Sequence, residues 1–444
     1  MVISKRGRFG ASAAVVIALL SRTGAADVVR LRDLEARALA GRPQLRAEHA
    51  EIAAARADAA FARSAYYPTI GVNADASAAP GGHLVRIADV SSRAEYLVAG
   101  SKTVGESNAF VPEARYGGTL ALSSRLYDFG RTRSAANAAD ASVVAAAAGE
   151  RAARDRVVNE VRAAYLDWLG AELLHVASLR ALTNARSRID VVKARIDTGT
   201  RPRSEMDPAV YDEKLAELDE CESRRRVTAT ELSLERAVGA PLPENGTPDT
   251  TLLDMTPPKQ LSTDTSEIVA LSKQSAAAVA MAHFHDRENS PVLSASAEAG
   301  VRGQLADVFP TYRAAIALTV PIADGGAASA RAARSRSEAT AIEAREREAS
   351  IALRSEHDVA ANDWARGVER VRLAESLYAV AASRARDVAD RYSLGQDPLE
   401  RLLEADSAVT RAEREVLLAR LARADAALRL TSPASSVSAS PEAH

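Results

Sequence analysis

The chain has 444 residues, of which 47% are hydrophobic, 4% aromatic and 26% charged, and its formal net charge is −2. Near-neutrality with the two signs interleaved leaves no electrostatic case for nucleic acid. The alanine-rich, aromatic-poor composition is that of long helices packed side by side, not of a compact enzyme.

The amino terminus reads as a secretory signal over residues 1–26. Lys5, Arg6 and Arg8 form a basic start, Ala11 to Leu20 an apolar core, and Thr23-Gly24-Ala25-Ala26 a small-residue cleavage site. The apolar core is too short to span a bilayer. Removing the segment takes four cations and no acid, so the mature charge becomes −6. No cysteine follows the core, which argues against lipid attachment at a new amino terminus.

The first repeat is placed at 27–245 and begins as helix, with Val28, Leu31, Leu34 and Ala38 at helical spacing. After Tyr67-Pro68 the period becomes two: Ile70, Val72, Ala74 and Ala76 alternate with polar or small residues, predicting a strand at 68–76. A Gly/Ser/Ala-rich stretch over 77–116 reads as an exposed loop. Leu120, Leu122 and Leu126 then mark a strand at 118–127, closed by Asp128-Phe129-Gly130. A long helix is predicted over 130–197, with a seam including Val158, Val161, Tyr165, Trp168, Leu169 and Val192. Gly199-Thr200-Arg201-Pro202 breaks it, and a return helix follows at 204–238.

Residues 246–264 are Pro/Thr-rich and read as a linker. The second repeat, at 265–431, has the same order: a helix, strands at 292–301 and 312–322, a long helix at 326–393, and a return helix at 398–430. Ser/Pro/Ala-rich residues 432–444 read as a disordered tail. Trp168 and Trp364 each follow an aspartate and lie 196 residues apart, the same interval that separates Gly199 from Gly395. The chain is thus an internal duplication, and the paired tryptophans read as packing residues where shorter helices meet.

Chemistry-bearing patterns are sparse. The single Cys221 forms no intramolecular disulfide, and His283-x-His285 has no third ligand near it in sequence. No nucleophile-elbow, phosphate-loop or zinc signature occurs, so no enzyme, cofactor or metal is expected. The lengths say more. Ten-residue strands with one apolar face suit a tilted bilayer crossing. A sheet in lipid must close, and four strands are fewer than the roughly eight that close a barrel. Helices of 65–70 residues reach about 100 Å.

In order, duplication and spacing, the chain resembles the TolC family of outer-membrane efflux and secretion channels. The matching motifs are Tyr67-Pro68 entering the first strand, Leu126-Tyr127-Asp128-Phe129-Gly130 leaving the second, and Tyr392-Ser393-Leu394-Gly395 before the last return helix. The resemblance implies a mainly α fold with a small β part: a long antiparallel α-helical barrel in the periplasm and a shared 12-stranded transmembrane β-barrel formed by a homotrimer. It implies passive export of small molecules or proteins in a tripartite efflux or type I secretion system. The expected partners are outer-membrane lipid, a periplasmic adaptor and an inner-membrane pump of the RND or ABC type. Localisation is then the outer membrane of a Gram-negative bacterium. The alternative is a periplasmic adaptor with coiled-coil hairpins. By the same resemblance, Gly199, Thr200, Arg201, Pro202, Gly395, Gln396, Asp397 and Pro398 form adaptor-docking tips, and Tyr392, Arg401, Glu404 and Glu205 the gate constriction. Arg401 and Asp397 depart from the family pattern, exchanging an aspartate and an arginine. That departure puts an acidic cation-binding ring in doubt and leaves room for a swapped ion pair.

Overall fold

The computed structural model describes residues 28–80, 112–244, 246–257, 265–304 and 307–431. The expected leader and tail, the larger part of the expected inter-strand loop and the end of the expected linker (258–264) lie outside the described residues. In chain order the elements are β1 (Val28–Val29), α1 (Leu31–Gly41), α2 (Pro43–Ser64), β2 (Thr69–Pro80), β3 (Pro112–Tyr127), α3 (Arg131–Asp197), α4 (Met206–Val238), β4 (Thr247–Pro248), α5 (Ser266–Asp286), β5 (Val292–Gln304), β6 (Asp307–Thr319), α6 (Ala327–Ser393) and α7 (Leu399–Leu430). Short 3-10 turns occupy Arg203–Glu205 and Thr250–Asp254. The fold is mainly helical, and α3 and α6 each run for 67 residues. Among the described residues no helix is long and apolar enough to cross a membrane.

The chain divides into two units. One comprises Ala53–Val144 and Lys273–Ile342 and holds a four-stranded antiparallel sheet in the order β2-β3-β5-β6. Register follows the period-two pattern. Ile70, Leu122, Ala297 and Ala314 form one cross-strand row, and Val72, Leu120, Ala299 and Tyr312 another on the same face. Gly71, Ala121, Glu298 and Arg313 form a row on the opposite face. Ile70, Val72 and Tyr312 are 71%, 77% and 90% exposed, so one chain leaves the apolar face uncovered. Gly300 is required where β5 meets β3, because a Cβ there would lie 2.1 Å from Gly118 O. The sequence placed the last strand's end at Ile322; β6 stops at Thr319, ahead of Pro321, which has no N–H for a ladder.

Each long helix in this unit starts on an aspartate cap. Asp128 accepts from Gly130 N at 3.2 Å, from Thr132 N at 2.7 Å and from the Thr132 hydroxyl. Burial pushes the Asp128 carboxyl up, but these bonds and Arg125 hold it below the usual carboxylate range. Asp324 accepts from Asn289 Nδ2 at 2.7 Å, Gly326 N at 2.9 Å and Ala328 N at 2.8 Å. The Asn289 amide first, then the two backbone donors, bring its pKa down to about 2. Each aspartate lies two residues ahead of the glycine that opens the helix and satisfies free N–H groups of the first turn.

The other unit comprises the chain up to Ile52, Ala145–Ser272 and the chain from Glu343 onward. Here α3 packs against α4 and α7. Val157, Val161, Tyr165 and Trp168 meet Leu34 and Ala38 of α1, Leu234, Ala237 and Val238 of α4, and Val29 of β1. Leu166, Leu169, Leu173 and Ala177 meet Leu417, Ala424 and Leu428 of α7. Ion pairs tie the layers: Arg188 to Asp406 at 2.7 Å and to Asp212, Arg180 to Glu413 at 2.9 Å, and Arg414 to Asp219 at 2.9 Å. Helix α6 joins this layer through α7, with Arg420–Glu375 at 2.6 Å and Arg370–Glu415 at 3.1 Å.

The segment expected to be a plain linker contains β4, which pairs in parallel with β1. Tyr165 fastens this two-stranded piece: its hydroxyl donates to Val29 O at 2.8 Å and accepts from Asp249 N at 2.7 Å. Burial pushes its pKa up to about 12. Trp168 is 1% exposed, whereas Trp364 is only half-buried, so the repeat-related tryptophans have different surroundings within one chain.

Two outcomes follow. Tyr165→Phe strands a buried carbonyl and a part-buried N–H and costs about 1–3 kcal/mol, read as a lower denaturant midpoint with unchanged helical signal. Because the Asp324 carboxyl is depressed, its contribution is present above its ordinary value and is lost as pH falls towards about 2. Asp324→Ala therefore lowers the melting temperature at neutral pH, and the gap from wild type closes in acid.

Candidate functional site

The features that gather charged and aromatic groups at one place are the ends of α3 and α6. Each helix closes with a Schellman turn. Gly199 has φ +73° and Gly395 φ +77°, the left-handed region that glycine enters without strain. Gly199 N donates to Ile196 O at 2.9 Å and Thr200 N to Arg195 O at 3.0 Å; Gly395 N donates to Tyr392 O at 3.1 Å and Gln396 N to Arg391 O at 2.9 Å. The two turns thus share one hydrogen-bond pattern at an offset of 196 residues. Pro202 and Pro398 then set extended backbone ahead of the return helices.

The turns meet at Tyr392, which is 2% exposed. Its hydroxyl donates to Glu205 Oε2 at 3.0 Å. The Arg195 and Arg201 guanidinia lie 4.8 and 4.5 Å from its ring centroid. Both also donate to Tyr392 O, at 2.9 and 3.0 Å. Arg201 further donates to Asp397 O at 2.8 Å and to Glu205 Oε1 at 3.3 Å. Burial, then the Glu205 carboxylate, push the Tyr392 phenol up. Beneath the polar contacts, Val192, Ala209, Val388, Leu399 and Leu402 form an apolar floor.

Asp397 is buried and held by two cations of its own turn: Arg391 Nε at 3.1 Å from Oδ2 and Arg401 Nη1 at 3.1 Å from Oδ1. Arg401 itself is 66% exposed. Glu404 is exposed; unlike Tyr392 and Glu205, it is not drawn into the cluster.

The structure therefore brings together Tyr392, Glu205, Arg201 and Asp397, with Arg401 at the margin. Sequence reasoning missed Arg195 and Arg391. The available signal was the duplication, since the two arginines lie 196 residues apart and each is four residues before its turn glycine.

The chain thus holds an antiparallel sheet with one uncovered apolar face and two 67-residue helices that end in paired polar turns. Residues 34–240 match the family model described as outer membrane efflux protein. The match takes in the first strand pair, the first long helix and its return helix. Solved structures share the fold: CusC, at 16% identity over 90% of each chain with a TM-score of 0.76; the Neisseria gonorrhoeae MtrE outer membrane channel in its open state, at 21% identity over 92% of each chain with a TM-score of 0.74; and the Campylobacter jejuni CmeC outer membrane channel, at 15% identity over 90% of this chain and 84% of that one with a TM-score of 0.74. No curated protein sequence matched. The chain is thus similar to an outer membrane efflux protein over residues 34–240 and shares the fold of solved outer-membrane channels over nine-tenths of its length.

Arg201→Ala removes a guanidinium that touches two carbonyls, one ring and one buried carboxylate. Stripping the cation from Glu205 costs about 3–5 kcal/mol. Faster amide hydrogen exchange over 194–205 and 389–398, with the sheet unaffected, is the expected result.

Proposed function

We propose that three copies of this chain assemble into one passive export channel, which a periplasmic adaptor and an inner-membrane pump of the RND or ABC type supply with cargo. The observation that carries the reading is the sheet. Its edges β2 and β6 each have one unpaired side, and its apolar face is bare. In lipid such edges cost several kcal/mol per unpaired group, so the sheet must find partners. Three copies supply twelve strands, enough to close a barrel with the apolar rows outside and the Glu298/Arg313 row inside. The helical layer is open in the same manner. Tyr211, Leu215 and Leu218 of α4 and Leu373, Leu377 and Val380 of α6 are exposed in one chain and are suited to face a second copy.

In this reading the paired turns are the periplasmic tips. Gly199, Thr200, Arg201 and Pro202 with Gly395, Gln396, Asp397 and Pro398 dock the adaptor; of the gate residues, the exposed Arg401 and Glu404 line the constriction, and the buried Tyr392 and Glu205 brace it from behind. Mass determination in detergent and single-channel recording in planar bilayers test the assembly: a trimer mass with discrete currents supports it, and a water-soluble monomer that never enters bilayers ends it.

Docking has its own test. A Cβ at Gly199 or Gly395 meets nothing within 4 Å, so substitution there acts through the backbone. Gly199→Val and Gly395→Val each cost roughly 1–2 kcal/mol of left-handed strain, deform the tips and abolish export while the trimer persists. Intact export in both variants removes the docking role.

A further inference from the structure

We propose that β6 of one copy pairs with β2 of the next in a single defined register, and that β6 is longer in the assembly than in one chain, running past Pro321 to Ala323. This rests on the three-copy assembly proposed above and fixes the residues that meet at its seam.

The two hairpins are one ladder written twice. Adding 223 to each β2 position and 196 to each β3 position turns the first register into the second. Thr69↔Ser123 becomes Val292↔Thr319, and Pro80↔Pro112 becomes Gly303↔Val308, and both pairs are present. The ladder of β3 with β5 joins the two halves of one chain. Its repeat-related counterpart has only one place to form, between β6 and the β2 of another copy. The same offsets carry Leu120↔Ala299 to Ile316↔Ala76, Leu122↔Ala297 to Leu318↔Ala74, and Ser124↔Ala295 to Val320↔Val72. Each of these seam pairs falls on the bare apolar face, so the lipid-facing surface stays continuous around the barrel.

The prolines agree with this register. Successive residues of a strand direct their N–H and C=O groups to opposite sides, and proline is tolerated where the missing N–H would point away from the ladder. Pro310 lies opposite Val301 within the β5–β6 ladder. The even positions of β6 therefore face the free edge and the odd positions face β5. Pro321 is odd, so the N–H it lacks belongs to the β5 side. There β5 has already ended, since its first residue Val292 lies opposite Thr319. Val320 keeps both of its backbone groups for the free edge. Val320 and Ile322 are 52% and 96% exposed, two apolar side chains left bare just beyond the strand. The equivalent stretch of β3 is paired: a bulge between Arg125 and Tyr127 takes up Leu126. Its counterpart at the seam takes up Ile322 and sets Ala323 opposite Ile70.

Cysteine pairs read the register. With Cys221→Ser as background, N73C/T319C places two thiols opposite each other in a non-hydrogen-bonded pair, where Cα atoms lie about 4.5 Å apart and a disulfide can close. The shifted control N73C/A317C separates them by about 7–8 Å, beyond disulfide reach. Within one chain β2 and β6 are the two outer strands of the sheet, so a bond between these positions links different copies. After mild oxidation of the detergent-purified protein, non-reducing denaturing electrophoresis shows a covalent trimer for N73C/T319C and at least about tenfold less for the control. Equal yields, or more from the control, overturn the register. If the double variants do not assemble, amide hydrogen exchange of the wild-type trimer decides: slow exchange at Val320 supports the longer β6, and exchange as fast as in an unstructured peptide overturns it. A wild-type chain of monomer mass defeats the three-copy reading itself, and the seam with it.

Discussion

The backbone of four strands sets the terms for everything else in this protein. A sheet ordered β2-β3-β5-β6 pairs its inner edges and leaves two outer ones open. Water tolerates that arrangement and lipid does not, because no solvent donor or acceptor reaches the free N–H and C=O groups. The exposed rows headed by Ile70 and Val72 choose lipid over water. An edge strand in a soluble protein is blunted with charge or proline. Here the edges stay long, as they must if another copy is to continue the ladder.

Duplication supplies the second constraint. Two equivalent halves yield two strand pairs, two long helices and two return helices from one design. Equivalence holds where backbone geometry rules: Asp128 and Asp324 each accept from the backbone N–H groups two and four residues on, and the turns at Gly199 and Gly395 share their Schellman bonds. It fails where side chains decide. Trp168 is enclosed by β1, α1 and α4, while Trp364 is only half-buried among the described residues. At the tips it fails by inversion of charge, with Arg201–Glu205 answered by Asp397–Arg401.

Much of the helical and strand pattern was readable from periodicity, since alternation at Ile70–Val72 and the seam through Val161, Tyr165 and Trp168 are local signals. Other features were not local. The pairing of β1 with β4 joins residues more than two hundred positions apart and is only two residues long. Its fastening by the Tyr165 hydroxyl leaves no trace in hydropathy, because a tyrosine on an apolar stripe reads as core whether or not its hydroxyl is used. At the tips, Tyr392 and Glu205 were legible through family resemblance, whereas Arg195 was one arginine among many. Its match to Arg391 across the repeat marks its position, and the contact with Tyr392 gives it its role.

The tips also show how a buried carboxylate constrains its neighbours. Asp397 is buried at 6% exposure, and an unpaired charge there would be expelled or neutralised. Two arginines hold it, one on each side of the turn. Those cations are then committed to their own chain and are weak donors to anything outside it. In the first tip the order is reversed: the cation Arg201 lies at the centre and has donors to spare, so it reaches across to carbonyls of the second tip. A carboxylate only accepts and a guanidinium only donates. At a helix end, where the free backbone groups are acceptors, a central arginine can bind a neighbouring helix terminus and a central aspartate cannot. The contact between the two turns of one chain therefore runs from Arg201 to the carbonyls of the second turn.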